Sequence, residues 1–133
     1  MPPRLANGYL DPYGLTIVEL RTSVFRLCTD QFSAGYSVVI CKRHVVEPTE
    51  LPPDEQSGFW ADVVTAGRAV QSAFGVDKMN YLMLGNDQPH LHCHLVPRRH
   101  GDPGAGRPWL PAQPQFVPAE VLADRAARIR ARV

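Results

Sequence analysis

Three histidines at alternate positions, His90, His92 and His94 in the run H-L-H-C-H-L-V, carry the chemistry this chain offers. A β-strand sends successive side chains to opposite faces, so residues two apart share a face. Read as a strand over His90–Val96, the segment presents three imidazoles on one side. It sends Leu91, Cys93 and Leu95 into a core on the other. Imidazole changes charge near neutral pH and also binds metals. Four of the five histidines fall between His90 and His100, a concentration that a structural role rarely needs.

Three chemistries compete for such a row. The first is a metal site. Two imidazoles on a strand, joined by His44 or an acid, would suit zinc. All three do not, because alternate positions spread over about 13 Å of strand while Zn–N bonds are about 2 Å long. The second is structural, with imidazoles satisfying backbone groups at a sheet edge. The third is nucleophilic catalysis, in which a ring nitrogen attacks phosphorus or an acyl carbon and forms a covalent intermediate. That requires a neighbour to fix the attacking ring's tautomer and donors to stabilise developing charge. A flanking histidine can be such a donor, and Arg98 and Arg99 are close enough in sequence to meet a phosphate. The third reading fits the residues best.

The elements around the row follow from pattern. Pro2–Gly14 is rich in Pro and Gly and reads as irregular lead-in, and Leu15–Leu20 is an apolar stretch whose type the sequence leaves open. Ser23–Cys28 and Tyr36–Cys41 read as strands of a hairpin joined by Thr29–Gly35, where Gly35 can supply a positive φ. Pro52 and Pro53 suit a helix start, Asp54 and Glu55 suit its positive end, and Phe59, Val63, Ala66, Val70 and Ala73 or Phe74 form one buried helical face. Gly75 is the expected C′ residue. Met79–Leu84 reads as a strand with Tyr81 and Met83 on one face and Leu82 and Leu84 on the other. Gly85–Pro89 turns, and Pro97 is expected to end the histidine strand. A Pro- and Gly-rich loop leads to a helix over Pro118–Arg132, with Val121, Leu122 and Ile129 as core contacts and Arg125, Arg128, Arg130 and Arg132 as a solvated, dipole-complementing end.

The whole reads as one domain over residues 1–133. A hydrophobic fraction of 44% and a charged fraction of 20% fit a globular protein, and a net charge of +1 argues against a dedicated nucleic-acid binder. No apolar run approaches the length of a membrane span. Cys28, Cys41 and Cys93, odd in number and without C-x-x-C spacing, suit buried reduced thiols. With no hydrophobic signal core in M-P-P-R-L-A-N-G, the expectation is a cytoplasmic protein.

The stretch P-H-L-H-C-H-L-V-P-R (89–98) resembles the signature of the histidine-triad (HIT) family, His-φ-His-φ-His-φ-φ with φ apolar. G-Y-S-V-V-I-C-K-R-H (35–44) is similar to that family's central strand, and M-N-Y-L-M-L-G-N (79–86) to the segment ahead of its triad, so the resemblance is strongest over 23–100. The run N-Y-L-M-L-G-N-D-Q-P-H-L-H-C-H is similar to members described as diadenosine polyphosphate hydrolases.

The resemblance implies a homodimeric domain of α+β class, an antiparallel sheet with one long central helix and a C-terminal helix, that binds a purine nucleotide and attacks its α-phosphate. His92 would be the nucleophile, His94 would hydrogen-bond the phosphoryl or bridging oxygens, and His90 would organise the triad. Asn86 stands where many relatives have a Gln facing the phosphates, Asp30 is either a ligand of the ribose hydroxyls or an ordinary turn aspartate, and Arg98 is close enough in sequence to meet the phosphate. Tyr36 stands where many relatives have a further supporting histidine, so His92 would be held by the Tyr36 hydroxyl or by a neighbouring carbonyl. His44 is not expected to be catalytic, and Trp109 packs over the site or on a partner subunit, or is a simple anchor of the Pro-rich loop. No cofactor is required on this view, although Mg²⁺ suits a polyphosphate substrate. Two other classes remain in view: a nucleotide-binding module that has lost efficient catalysis, and a zinc protein.

Overall fold

The protein is described here by a computed structural model covering residues 14–133, so all of the expected lead-in except Gly14 lies outside the described residues. Five strands, β1 (Leu15–Glu19), β2 (Ser23–Leu27), β3 (Ser37–Cys41), β4 (Lys78–Leu82) and β5 (His92–Arg98), form one antiparallel sheet in the order β1-β2-β3-β5-β4. Two helices, α1 (Pro53–Ala73) and α2 (Ala119–Arg130), complete the α+β architecture. The apolar stretch after Gly14 is therefore an edge strand, paired with β2 and bulged between Thr16 and Val18.

The hairpin forms as expected, with β2 and β3 in register from Ser23↔Cys41 to Leu27↔Ser37. Gly35 takes φ +98, and its α-carbon faces Val70 and Phe74 of α1 so closely that a Cβ would lie 3.1 Å from each. A side chain here would meet both backbone strain and a packed helix.

The sheet's two faces differ. Phe25, Leu27, Val39, Cys41, Cys93 and Leu95 point to the helices and are nearly inaccessible there, together with Phe59, Val63, Ala66 and Val70 of α1 and Leu122, Ala126 and Ile129 of α2. Truncating one of these large side chains to Ala costs about 2–5 kcal/mol. The opposite face carries a smaller cluster of Cys28, Phe32, Tyr36, Val38 and Val96, with Ile40, Leu82 and Trp109 against it. That second face receives His92 and His94.

A buried carboxylate, which hydrophobic periodicity does not reveal, ties the layers together. Asp62 of α1 accepts from the Thr22 amide (3.0 Å), the Thr22 hydroxyl (2.7 Å) and the Ser23 hydroxyl (2.8 Å). Its burial is tolerable because its charge-bearing oxygen is hydrogen-bonded.

Several expectations are corrected. Val121 is only half-buried. Arg125, Arg128, Arg130 and Arg132 are not simply solvated: their guanidinium groups reach Gln31 Oε1, the Ala73 carbonyl, the Thr16 and Ile17 carbonyls and Ser72 Oγ, respectively. These contacts tie the C-terminal end of the chain to the β2–β3 turn, α1 and β1. Gly75 is not a left-handed cap, since α1 leaves through extended backbone at Phe74 (φ −131, ψ 155). Met83 and Leu84 lie beyond the end of β4.

Candidate active site

The histidine strand begins at His92, two residues later than its alternation suggests, and runs through Pro97 to Arg98. His90 sits in the bend ahead of it. Pro97 does not break the strand because pairing to β3 has already stopped at Ser37↔Leu95, while β4 continues alongside with Met79↔Pro97. On the β3 side the ring is at an edge, where a missing amide donor costs nothing. Leu91, Cys93 and Leu95 enter the helix-side core as their alternation requires. Burial pushes the Cys93 thiol up to about 11, which keeps it from competing as a nucleophile.

The imidazoles form a directed hydrogen-bond chain, and its direction follows from the partners at each end. His92 Nδ1 lies 2.6 Å from the His90 carbonyl, which can only accept, so Nδ1 carries the proton and Nε2 holds a lone pair. That Nε2 is 3.1 Å from His94 Nε2, which must then donate. His94 Nδ1 is left as an acceptor for the Tyr36 hydroxyl at 2.7 Å. Burial, and next the neighbouring His92, bring His94 down to about 4, so it is a neutral Nε2–H donor at neutral pH. Burial likewise raises the Tyr36 phenol and keeps its proton on oxygen.

His90 is anchored separately. Its Nε2–H donates to the Cys41 carbonyl at 2.6 Å, and its Nδ1 meets His44 Nδ1 at 3.0 Å. The backbone that supplies the carbonyl to His92 is thereby held at the end of β3. His44 thus joins the cluster through His90. Among the described residues, no group of three or more His, Cys, Asp or Glu side chains is placed to hold a metal ion.

A cleft of about 440 Å³ opens beside His92, a size suited to a small-molecule ligand. His44, His90, His92, Gln88 and Pro89 form one side, and Val24, Arg26 and Ile40 of the sheet form the other. Register explains this floor: Val24 pairs with Ile40 and Ile40 with His92, while Arg26 pairs with Val38 and Val38 with His94. A wider depression of about 900 Å³ along β4 and residues 98–108 contains no triad histidine. We take the smaller cleft as the candidate site because His90 and His92 line it.

The residues expected at the site divide into two groups. His90, His92, His94 and Tyr36 are brought together. Arg98 is not. Its guanidinium makes a paired contact with Asp102 (2.8 and 3.0 Å) and also donates to Asn80 Oδ1 and the carbonyls of Ala105 and Arg107. It organises the 98–107 loop, and the tight approach of Gly104 to its head group leaves no room for a side chain there. Arg99 is similarly bound to Ser33 Oγ and to the Gly75 and Ala34 carbonyls. Asp30 accepts from the Phe32 and Gln115 amides and closes the hairpin turn against residue 116. Asn86 is exposed in the turn, and Gln88 lines the cleft instead. Trp109 lies one shell out, edge-on to Phe32 at 4.8 Å, which in turn packs on Tyr36 at 4.7 Å.

The site draws on Arg26, Gln88, Val24 and Ile40, which sequence reading passed over. For Val24, Arg26 and Ile40 the signal was present as parity along β2 and β3, but parity acquires meaning only once the strand register is known; Gln88 lies in the turn before β5 and carried no such signal.

The HIT domain profile matches residues 14–101, which include the strand pairings and the triad just described. The chain belongs to the HIT family. A histidine triad protein from Sinorhizobium meliloti 1021 superposes on this HIT protein with a TM-score of 0.82 at 28% identity, covering 91% of this chain and 90% of that one. An adenylylsulfatase from Arabidopsis thaliana is 31% identical over 81 residues, 57% of this chain and 41% of that protein. A bifunctional bis(5'-adenosyl)-triphosphatase/adenylylsulfatase from the same plant is 28% identical over 71 residues, 49% of this chain and 39% of that protein. The chain spans about half the length, or less, of the curated relatives it matches. Among the described residues, no helix is long and apolar enough to cross a membrane.

Proposed function

We propose that this protein hydrolyses, or transfers the nucleotidyl group of, a purine nucleotide derivative activated at its α-phosphate. An adenosine nucleotide joined to phosphate or sulfate is the first substrate to test. One observation carries the reading: the His90 carbonyl holds the proton of His92 on Nδ1, leaving Nε2 as a lone pair beside the cleft.

In the first step Nε2 of His92 bonds to the α-phosphorus as the bond to the leaving oxygen breaks, giving a nucleotidyl-imidazolium. The His94 Nε2–H turns from His92 to a phosphoryl or bridging oxygen and stabilises its charge. In the second step water attacks phosphorus, the P–N bond breaks, a nucleoside monophosphate leaves and one proton passes to solvent.

Because His94 is already neutral near pH 7, it hydrogen-bonds the leaving group but does not hand it a proton. This favours leaving groups that depart as stable anions, such as phosphates, polyphosphates and sulfate, over amines, which need protonation. The names of the two plant relatives agree with that class. No protein-bound metal is needed for these steps, and Mg²⁺ would accompany a polyphosphate as part of the substrate.

The working unit is proposed to be a homodimer joined at β4. That strand is a sheet edge, and Trp60, Tyr81 and Leu84 beside it are exposed to 54%, 39% and 52%. A second copy can cover this patch through a self-complementary contact.

The test is His92→Asn with a panel of diadenosine polyphosphate, adenylyl sulfate and adenosine phosphoramidate. Loss of turnover with nucleotide binding retained, and an acid-labile AMP adduct on His92 of the wild-type protein, support the reading. Turnover by the variant overturns it. Tight binding without turnover by the wild type would instead indicate a nucleotide-binding module.

A further inference from the structure

The nucleotide that this reading brings to the cleft carries negative charge, and the hydrogen-bonded core of the triad offers little positive charge to meet it. His94 is neutral and Tyr36 keeps its proton. Arg98, the cation nearest in sequence, does not line the cleft. Yet the described lining of the cleft contains a permanent cation, Arg26, and no acidic residue. It lies on the histidine face of the sheet, in the same cross-strand row as His94, with Val38 between them. Two strand spacings, roughly 10 Å between α-carbons, separate the two. That gap suits a phosphate held between a long guanidinium side chain and an imidazole.

We propose that Arg26 is the phosphate-binding cation of this site. It would contact the non-bridging oxygens of the α-phosphate, or of the next phosphoryl or sulfuryl group, opposite the hydrogen bond from His94. A guanidinium suits this task because it stays charged at every relevant pH and binds two oxygens in parallel. Val24 and Ile40 lie along the neighbouring row, ending at His92, and give the base and ribose an apolar surface. The charge of the substrate and the flat part of the nucleoside are thus received by different residues of the same sheet.

The inference rests on the hydrolase reading for its ligand, but its test does not need turnover. Calorimetry compares AMP with adenosine on wild-type protein, Arg26→Met, which keeps most of the apolar stem, and Arg26→Lys, which keeps the charge. AMP affinity is expected to fall at least tenfold in Arg26→Met while adenosine affinity is unchanged, with partial recovery in Arg26→Lys. Circular dichroism and melting confirm that each variant is folded, and should Arg26→Met fail to fold, Arg26→Lys against Arg26→Gln gives the same comparison. An unchanged AMP-to-adenosine ratio overturns the proposal, as does an equal loss for both ligands, which would place Arg26 at the base. Wild-type protein that binds AMP but turns nothing over removes the hydrolase reading and leaves the Arg26 contact standing. Wild-type protein that binds no AMP overturns both.

Discussion

The Tyr36 hydroxyl donates to Nδ1 of His94 at 2.7 Å, and the two rings lie nearly parallel, 10° apart with centroids at 5.9 Å. This contact supports His94, whereas His92 is supported by the carbonyl of His90. Of the two supports open to His92 in the sequence, the carbonyl is the one it uses.

Tyr36→Phe removes only that hydroxyl and leaves the packing on Phe32. His94 then lacks the donor that reserves its Nε2 for the proton. Losing one such buried hydrogen bond costs about 1–2 kcal/mol, or roughly tenfold in kcat, with KM little changed. Steady-state kinetics checks this, and ¹⁵N chemical shifts of the His94 ring should show a mixture of tautomers. An unaltered His94 spectrum would dissociate Tyr36 from the tautomer.

Acid sensitivity follows from the same histidine. Its folded value of about 4 lies below the ordinary 6.5, so between these values the unfolded chain binds a proton that the folded protein does not. Stability from this group is complete above pH 6.5 and declines as pH falls towards 4, by on the order of 3 kcal/mol in total. Urea unfolding of the wild type and His94→Gln across pH 4–7 measures it. The variant should lose that part of the slope.

Arg98→Met separates a structural arginine from a phosphate ligand. Removing it leaves Asp102 without its paired partner, and Asp102 owes its strongly lowered carboxyl pKa chiefly to Arg98. A lowered Tm is expected from thermal melts, because the 98–107 loop loses the hydrogen bonds that hold it. KM for the nucleotide in the folded fraction should stay close to wild type. A raised KM with an unchanged Tm would return Arg98 to the site.

Sedimentation tests the proposed edge contact. The wild type should run as a dimer of the 14.8 kDa chain, and Trp60→Glu with Leu84→Glu should run as a folded monomer. Like charges facing across a two-fold axis disfavour the contact.

Chelation gives a further check. EDTA should leave hydrolysis of an adenylyl-sulfate substrate unchanged, because the nucleophile is a ring nitrogen. Loss of activity on that substrate, restored by zinc, would revive a metal role for His44 and His90.

Much of the fold was legible because its signals are local. The spacing of Phe59, Val63, Ala66 and Val70 defines one helical face, and the alternation around His92 places Cys93 and Leu95 in the core. Element ends were less so. Pro97 stays in its strand because β3 has already ended, and Gly75 needs no left-handed turn because α1 exits extended. Both depend on neighbours distant in sequence. Asp62 was invisible for the same reason, its partners Thr22 and Ser23 lying forty residues away.

The amino-acid order alone determined the row of imidazoles and the family pattern, since two-residue periodicity and residue type suffice for each. Tertiary structure decided which charges meet that row. Arg98 and Arg26 both lie on the histidine face, yet one closes a loop with Asp102 and the other borders the cleft. Strand register and loop packing make that choice, and both arise from contacts between segments that are far apart along the chain.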